Sequence, residues 1–140
     1  MKILVAADGS PYTKRMLAYL AAHDEWLGPL HQYTVIHAVQ PVPSGAASFV
    51  ERGTLQSYYA DTAEAVFKPI RAFFKKQGLE AVFVTKVGSP ATLIAKLAEQ
   101  GKFDMVMMGS HGHSLLGNLV MGSVVNKVAA QCGTPLLLVR

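Results

Sequence analysis

Five short apolar runs divide this chain, and each of the first four is followed by a turn and then by helical spacing of apolar residues. The runs are residues 2–7, 33–39, 80–87, 103–108 and 136–139. They are too short for buried helices, and four of them read as strands covered on both faces. The third alternates Val82, Val84 and Lys86 against its neighbours and reads as a strand with one exposed face, near an edge. Strands that alternate with helices and are joined by right-handed crossovers form a parallel sheet with helices on both faces. The expected fold is α/β: an open parallel five-stranded sheet of order 3-2-1-4-5. The chain winds outward from strand 1, returns, and lays strand 4 on the other side of strand 1. The switch point then lies between the C-terminal ends of strands 1 and 4, where such sheets bind ligands.

The punctuation between runs fits this doubly wound, Rossmann-like plan. After strand 1, Ser10 is placed to cap a helix and Pro11 to begin it. That helix is expected to reach about Trp26, before Gly28-Pro29. Residues 40–48, rich in Pro and Gly, read as a loop without regular pattern and the least constrained segment of the chain. A long helix is expected over about residues 54–77, with Pro69 kinking or splitting it. Gly88-Ser89-Pro90 repeats the turn chemistry of Gly9-Ser10-Pro11 before a helix that ends at Gly101. Residues 123–132 form the last expected helix, with Cys132 inside it as a packed small hydrophobe.

Residues 104–123 carry the chemistry. An apolar strand ends in Gly109-Ser110-His111-Gly112, and nine residues later Gly122-Ser123 opens the last helix. Glycines let the backbone approach an anion, and the first N–H groups of a helix lack partners within it. The helix dipole favours a phosphate at the same place. Neither G-x-x-x-x-G-K-[ST] nor G-x-G-x-x-G is present, since Ser123 stands where the first of these requires lysine. Gly109, Gly112, Gly122 and Ser123 are the expected phosphate cradle, with Ser110 and Ser123 as hydroxyl donors. Ser123 is also placed to be an ordinary helix cap. Asp8, at the end of strand 1, is either a turn residue or a ligand-side carboxylate for ribose hydroxyls or, through water, for magnesium on the phosphates. Backbone at the end of strand 2, near Ala38 and Val39, is placed to meet a base edge. His111 and His113 stand at i and i+2 with no third ligand in sight, a poor zinc site. His111 beside a triphosphate reads as a donor or an acid–base group. No serine–histidine–acid spacing or carboxylate pair marks a hydrolytic machine.

Charge excludes other classes. Thirteen basic and nine acidic residues give a net charge of +4, and the basic residues are scattered rather than blocked. That argues against a nucleic-acid surface. No apolar run has the length of a membrane span. Residues 1–7 are too short for a secretory leader and Asp8 interrupts them, so none is expected. One cysteine fits a reducing compartment.

Together these features resemble the universal stress protein family over the whole chain. Residues 2–10 resemble its first strand and D-G-S turn, residues 88–90 the turn before its third helix, and residues 104–109 its D-hydrophobic-G strand. Gly109-x-x-Gly112, nine residues, then Gly122-Ser123 fits the pattern G-x-x-G-x9-G-[ST] of the members that bind ATP. The resemblance implies one domain over residues 1–140 and ATP with magnesium as ligand. It implies a site of Ala7, Asp8, Val39, Gly109, Ser110, His111, Gly112, Gly122, Ser123 and Val124. In that site Asp8 serves the ribose and metal side, backbone near Val39 meets the adenine, and the glycines and serine hold the phosphates. It further implies a cytoplasmic stress-response protein that dimerises through the apolar edge strand Leu136–Val139, with no membrane or nucleic-acid partner. A slow ATPase and a dimeric interaction module that takes no nucleotide are the alternative readings.

Overall fold

The computed structural model describes residues 1–113 and 121–140. Of the arm between Gly112 and Gly122, residues 114–120 lie outside the described set, Gly117 included. In chain order the elements are β1 (Lys2–Ala6), α1 (Pro11–Ala22), β2 (Gln32–Val39), α2 (Ser44–Ala47) and α3 (Arg52–Lys76). They continue with β3 (Ala81–Val87), α4 (Pro90–Gln100), β4 (Met105–Gly109), α5 (Ser123–Gln131) and β5 (Leu136–Val139). All strand pairs are parallel and the order is β3-β2-β1-β4-β5, as expected.

The alternation of side chains along each strand separates two cores. Ile3, Val5, Tyr33, Val35 and Met107 pack on one face with Met16 and Leu20 of α1 and Phe67, Ile70 and Phe74 of α3. Leu4, Ile36, Val106 and Met108 pack on the other with Ile94 and Ala98 of α4 and Val125 and Val128 of α5. The central strand is therefore sealed on both sides, which is why its sequence is apolar without alternation. Strand β3 at one edge is largely exposed, in line with its alternating pattern.

Several expectations are corrected. Helix α1 stops at Ala22, not near Trp26. His23 takes an extended conformation, its Nδ1 donates to the Tyr19 carbonyl at 2.8 Å, and its ring stacks on Tyr19. The Trp26–Gly28 turn is then pinned from the core, because Tyr33 Oη accepts from the Gly28 N–H and donates to the Trp26 carbonyl. The loop after β2 contains the four-residue helix α2, too short to leave a periodic signal. Helix α3 runs unbroken through Pro69. Pro69 removes one helical bond, but Phe67, Ile70 and Phe74 around it anchor the helix to the sheet. Helix α5 begins one residue earlier than a Ser123 cap requires: Gly122 is the cap, its carbonyl accepting from Asn126, and Ser123 is the first helical residue. The helix ends at Gln131, so Cys132 follows it, half-buried against the second core. Among the described residues, no helix is long and apolar enough to cross a membrane.

Candidate functional site

Three strands end together. Strand β1 hydrogen-bonds to β2 as far as Ala7, whose N–H donates to the Ile36 carbonyl at 3.0 Å. The Ala7 carbonyl lies beyond the ladder and takes its bond from a side chain, His37 Nδ1, at 2.8 Å. Asp8 follows and is held at several atoms. Its Oδ1 accepts from the Ser10 N–H at 2.9 Å and from Thr13 Oγ1 at 3.1 Å. Its own N–H donates to Thr13 Oγ1 at 3.3 Å. Its carbonyl accepts from His113 Nε2 at 2.7 Å. The Asp8 carboxylate thus ties the turn to the first turn of α1, while Ser10, the N-cap residue, makes no side-chain cap bond and its Oγ is buried with no partner among the described residues. Gly9 takes φ +76°, the left-handed region, which lets the chain turn from strand to helix.

At the end of β4 the glycines answer to the protein's own packing. A Cβ on Gly109 would lie 2.6 Å from Tyr12 Cβ, and one on Gly112 would lie 2.8 Å from Asp8 Oδ2. A Cβ on Gly122 would lie 3.2 Å from His111 Cα and 3.4 Å from the Ser110 carbonyl oxygen. The Gly122 N–H donates to that carbonyl at 2.8 Å. The spacing recognised in the sequence therefore folds the β4 loop onto Asp8 and onto the start of α5. It also leaves the N–H groups of Ser123, Val124 and Val125, in the first turn of α5, at the rim of a cleft.

That cleft has a volume of about 770 Å³, within the range of small-molecule sites. Of the expected residues it is lined by Ala7, Asp8, Val39, Gly109, His111, Gly112, Gly122, Ser123 and Val124. Ser110 is not brought there: it is 1 % exposed, its N–H donates to the Val139 carbonyl, and its hydroxyl is paired with His111 Nδ1 at 2.9 Å. The His111 ring sits 5.0 Å from that of Tyr12. Asp8 is the sole carboxylate among the described lining residues, and no lysine or arginine lines the cleft with it. The sequence from Phe103 to Asn126 contains no lysine or arginine at all. Positive potential at the glycine end therefore comes from backbone N–H groups and the α5 dipole. Among the described residues no group of three His, Cys, Asp or Glu is placed to hold a metal.

The opposite end of the cleft was less visible in the sequence. The Val39 carbonyl is committed to the Gly88 N–H at 3.0 Å, on the β3 side. Ile36, three residues earlier, gives its carbonyl to Ala7 on the β1 side. Alternate residues of a strand address alternate neighbours, so Ala38 faces the β1 side just past the end of β1. Thr62, Ala65, Val66 and Pro69 of α3 form a wall beside it. Thr13, His37 and this wall were missed. Thr13 sits five residues from Asp8 inside a helix, and the wall belongs to an exposed helix face, so neither leaves a sequence signal. His37 was visible only as a histidine in a strand.

Comparison with known proteins agrees with this architecture. The family model described as the universal stress protein family matches residues 1–140. The universal stress protein in the QAH/OAS sulfhydrylase 3'region of Thermus aquaticus is 32 % identical over 140 residues, covering 99 % of this chain and 97 % of that protein. Among solved structures, hypothetical protein MJ0577, from Methanocaldococcus jannaschii, superposes with a TM-score of 0.83 at 24 % identity, covering 99 % of this chain and 94 % of that one. The universal stress protein from Archaeoglobus fulgidus, solved in complex with dAMP, superposes with a TM-score of 0.70 at 18 % identity, covering 100 % and 98 %. By the family match over its whole length, this chain belongs to the universal stress protein family.

Proposed function

We propose that the cleft binds ATP with magnesium and that the protein is a nucleotide-dependent regulator in the stress response. The observation that carries this reading is the meeting, in one cleft, of the glycine-packed β4 loop, the first turn of α5, whose N–H groups have no partner within the helix, and the turn at Asp8. The phosphates lie on the α5 N–H groups and the ribose beside Asp8. The base lies at the end of β2, where the backbone of Ala38 faces the open side of the sheet and Val39 lines the pocket. A relative solved with dAMP supports an adenine nucleotide as the ligand class.

Magnesium has a physical role in this arrangement. A triphosphate entering a cleft with one carboxylate and no lysine or arginine among its described lining residues needs a cation to offset the repulsion from Asp8. A magnesium ion held mainly by phosphate oxygens and water fits a site with a single carboxylate. The half-buried edge strand β5 supports the further reading that two copies pair through Leu136–Val139.

The test is calorimetric titration of ATP with magnesium into the wild type and into Ala65→Trp. Ala65 is an exposed helical residue that lines the cleft, so an indole there blocks the base end while the fold is kept. Micromolar binding by the wild type and its loss in the variant are expected. A folded, nucleotide-free wild type that takes up no ATP contradicts the reading.

A further inference from the structure

The wall of the cleft along α3 has a polar character that the phosphate end does not share. Three of its groups accept hydrogen bonds and have no proton to give. His37 is 9 % exposed and lies on the α3 side of the sheet, its ring edge-on to Phe67. Its Nδ1 must carry the proton in the bond to the Ala7 carbonyl at 2.8 Å, so the neutral ring presents Nε2 as a bare acceptor. No partner for Nε2 occurs among the described residues. Thr62 lines the cleft too, and its single hydroxyl proton is committed to the Tyr58 carbonyl at 2.7 Å, which leaves its lone pairs facing outward. The third group is the Ala65 carbonyl. In a regular helix it would accept from residue 69, but residue 69 is proline and has no N–H. Ala65 and Pro69 both line the cleft, so the gap in the helical ladder opens toward it.

We propose that this acceptor-only wall makes the site selective for a purine whose six-position bears an amino group rather than an oxygen, with His37 and the Ala65 carbonyl released by Pro69 as the specificity-determining groups. The inference rests on the nucleotide reading and names which base that site selects. The amino group of adenine has two hydrogens. The backbone carbonyl of Ala38 takes one, and the wall takes the other. Hypoxanthine and guanine carry a carbonyl oxygen at the same ring position. Against this wall an oxygen meets acceptors, and one buried acceptor is left unsatisfied, which is what gives polar recognition its discrimination. Pro69 has a use on this view. It opens a backbone acceptor on the stretch of α3 that lines the cleft.

The experiment is a paired titration of ATP and inosine triphosphate, each with magnesium, into the wild type, His37→Asn and Pro69→Ala. The wild type should prefer ATP by roughly tenfold or more. Asparagine keeps a donor where Nδ1 stood, so the Ala7 carbonyl stays satisfied, but nothing replaces Nε2. Alanine at position 69 returns a helical partner to the Ala65 carbonyl without threatening the fold. In either variant the preference should fall toward unity through weaker ATP binding, with inosine triphosphate little changed. A wild type that binds both nucleotides equally overturns the inference while leaving the nucleotide site intact. So does an unchanged preference in both variants, which would leave His37 as a brace for the end of β1. A wild type that binds neither nucleotide removes the nucleotide reading itself, and this inference with it.

Discussion

Asp8 is fixed by its neighbours before any ligand arrives: its N–H, carbonyl and Oδ1 are all engaged. Thr13 supplies two of these contacts and is buried beneath them. Thr13→Val, close in shape, should therefore cost about 1–2 kcal/mol of stability in urea unfolding, and should weaken nucleotide binding severalfold by freeing the turn. Equal stability would show that the Ser10 N–H alone holds the carboxylate. The glycines make a related point. The sequence singles out Gly112 and Gly122 for their spacing, and a phosphate alone is enough reason for them. The structure adds a reason that needs no ligand, because a side chain at 122 meets the backbone of His111. Gly122→Ala should lower the stability of nucleotide-free protein by about 1–3 kcal/mol, measured by the same unfolding. Ser110 shows the limit of pattern reading, since a hydroxyl in a glycine loop carries no sign of which way it turns. Away from the site, burial pushes the Tyr33 hydroxyl above its ordinary 10.0, with the Gly28 N–H opposing in part. A value raised by folding means that the neutral phenol's contribution is intact below pH 10 and lost as pH climbs through the folded-state value. Stability should therefore fall in that alkaline range, and Tyr33→Phe, though weaker overall, should show a shallower fall.

At the scale of elements, strands and their order were legible because burial on both faces leaves an unmistakable apolar run. Helix ends were legible in part: Pro11, Pro90 and Gly101 bound α1 and α4 as expected, but the end of α1 was not legible. Helix α1 ends through a side chain, His23 folding back on Tyr19, and no periodicity anticipates that. Pro69 was expected to kink or split the helix, and the split does not occur, because the residues around it are packed firmly on the sheet. Pro69→Ala should raise stability by about 1–3 kcal/mol by restoring the missing bond, read from the unfolding midpoint. An unchanged midpoint would mean that the helix has already found another partner for the Ala65 carbonyl. Strand β5 is similarly specific in what it leaves open. The carbonyls of Pro135 and Val139 accept from the N–H groups of Val106 in β4 and of Ser110 just after it. By alternation, the backbone groups of Leu136 and Leu138 point to the outer edge. If two copies pair there, the wild type should run at twice its 15.0 kDa in light scattering. Leu136→Pro, which removes one outward N–H at the first position of the strand, should run as a monomer. A wild type already monomeric at micromolar concentration excludes this interface.

For the whole molecule, the strand order decides where chemistry happens. Reversal of winding between β1 and β4 opens the cleft, and the right-handed crossovers put α3 and α5 on opposite sides of it. The glycine end was readable because it depends on backbone and on residues close in sequence. The far wall was not, because it joins β2 to α3 through a fold-level contact. With no lysine or arginine among the described lining residues, the proposed nucleotide site should depend on metal. Chelating magnesium should weaken ATP binding on the order of tenfold or more, and should weaken AMP binding less, since AMP brings less charge. The most direct measurement is backbone amide chemical-shift mapping on nucleotide-free protein titrated with ATP and magnesium. Shifts concentrated at Asp8–Gly9, Ala38–Gln40, His111–Gly112 and Ser123–Val125 are expected. Shifts that are absent there, or confined to the β5 edge, would contradict a nucleotide site at the ends of β1, β2 and β4.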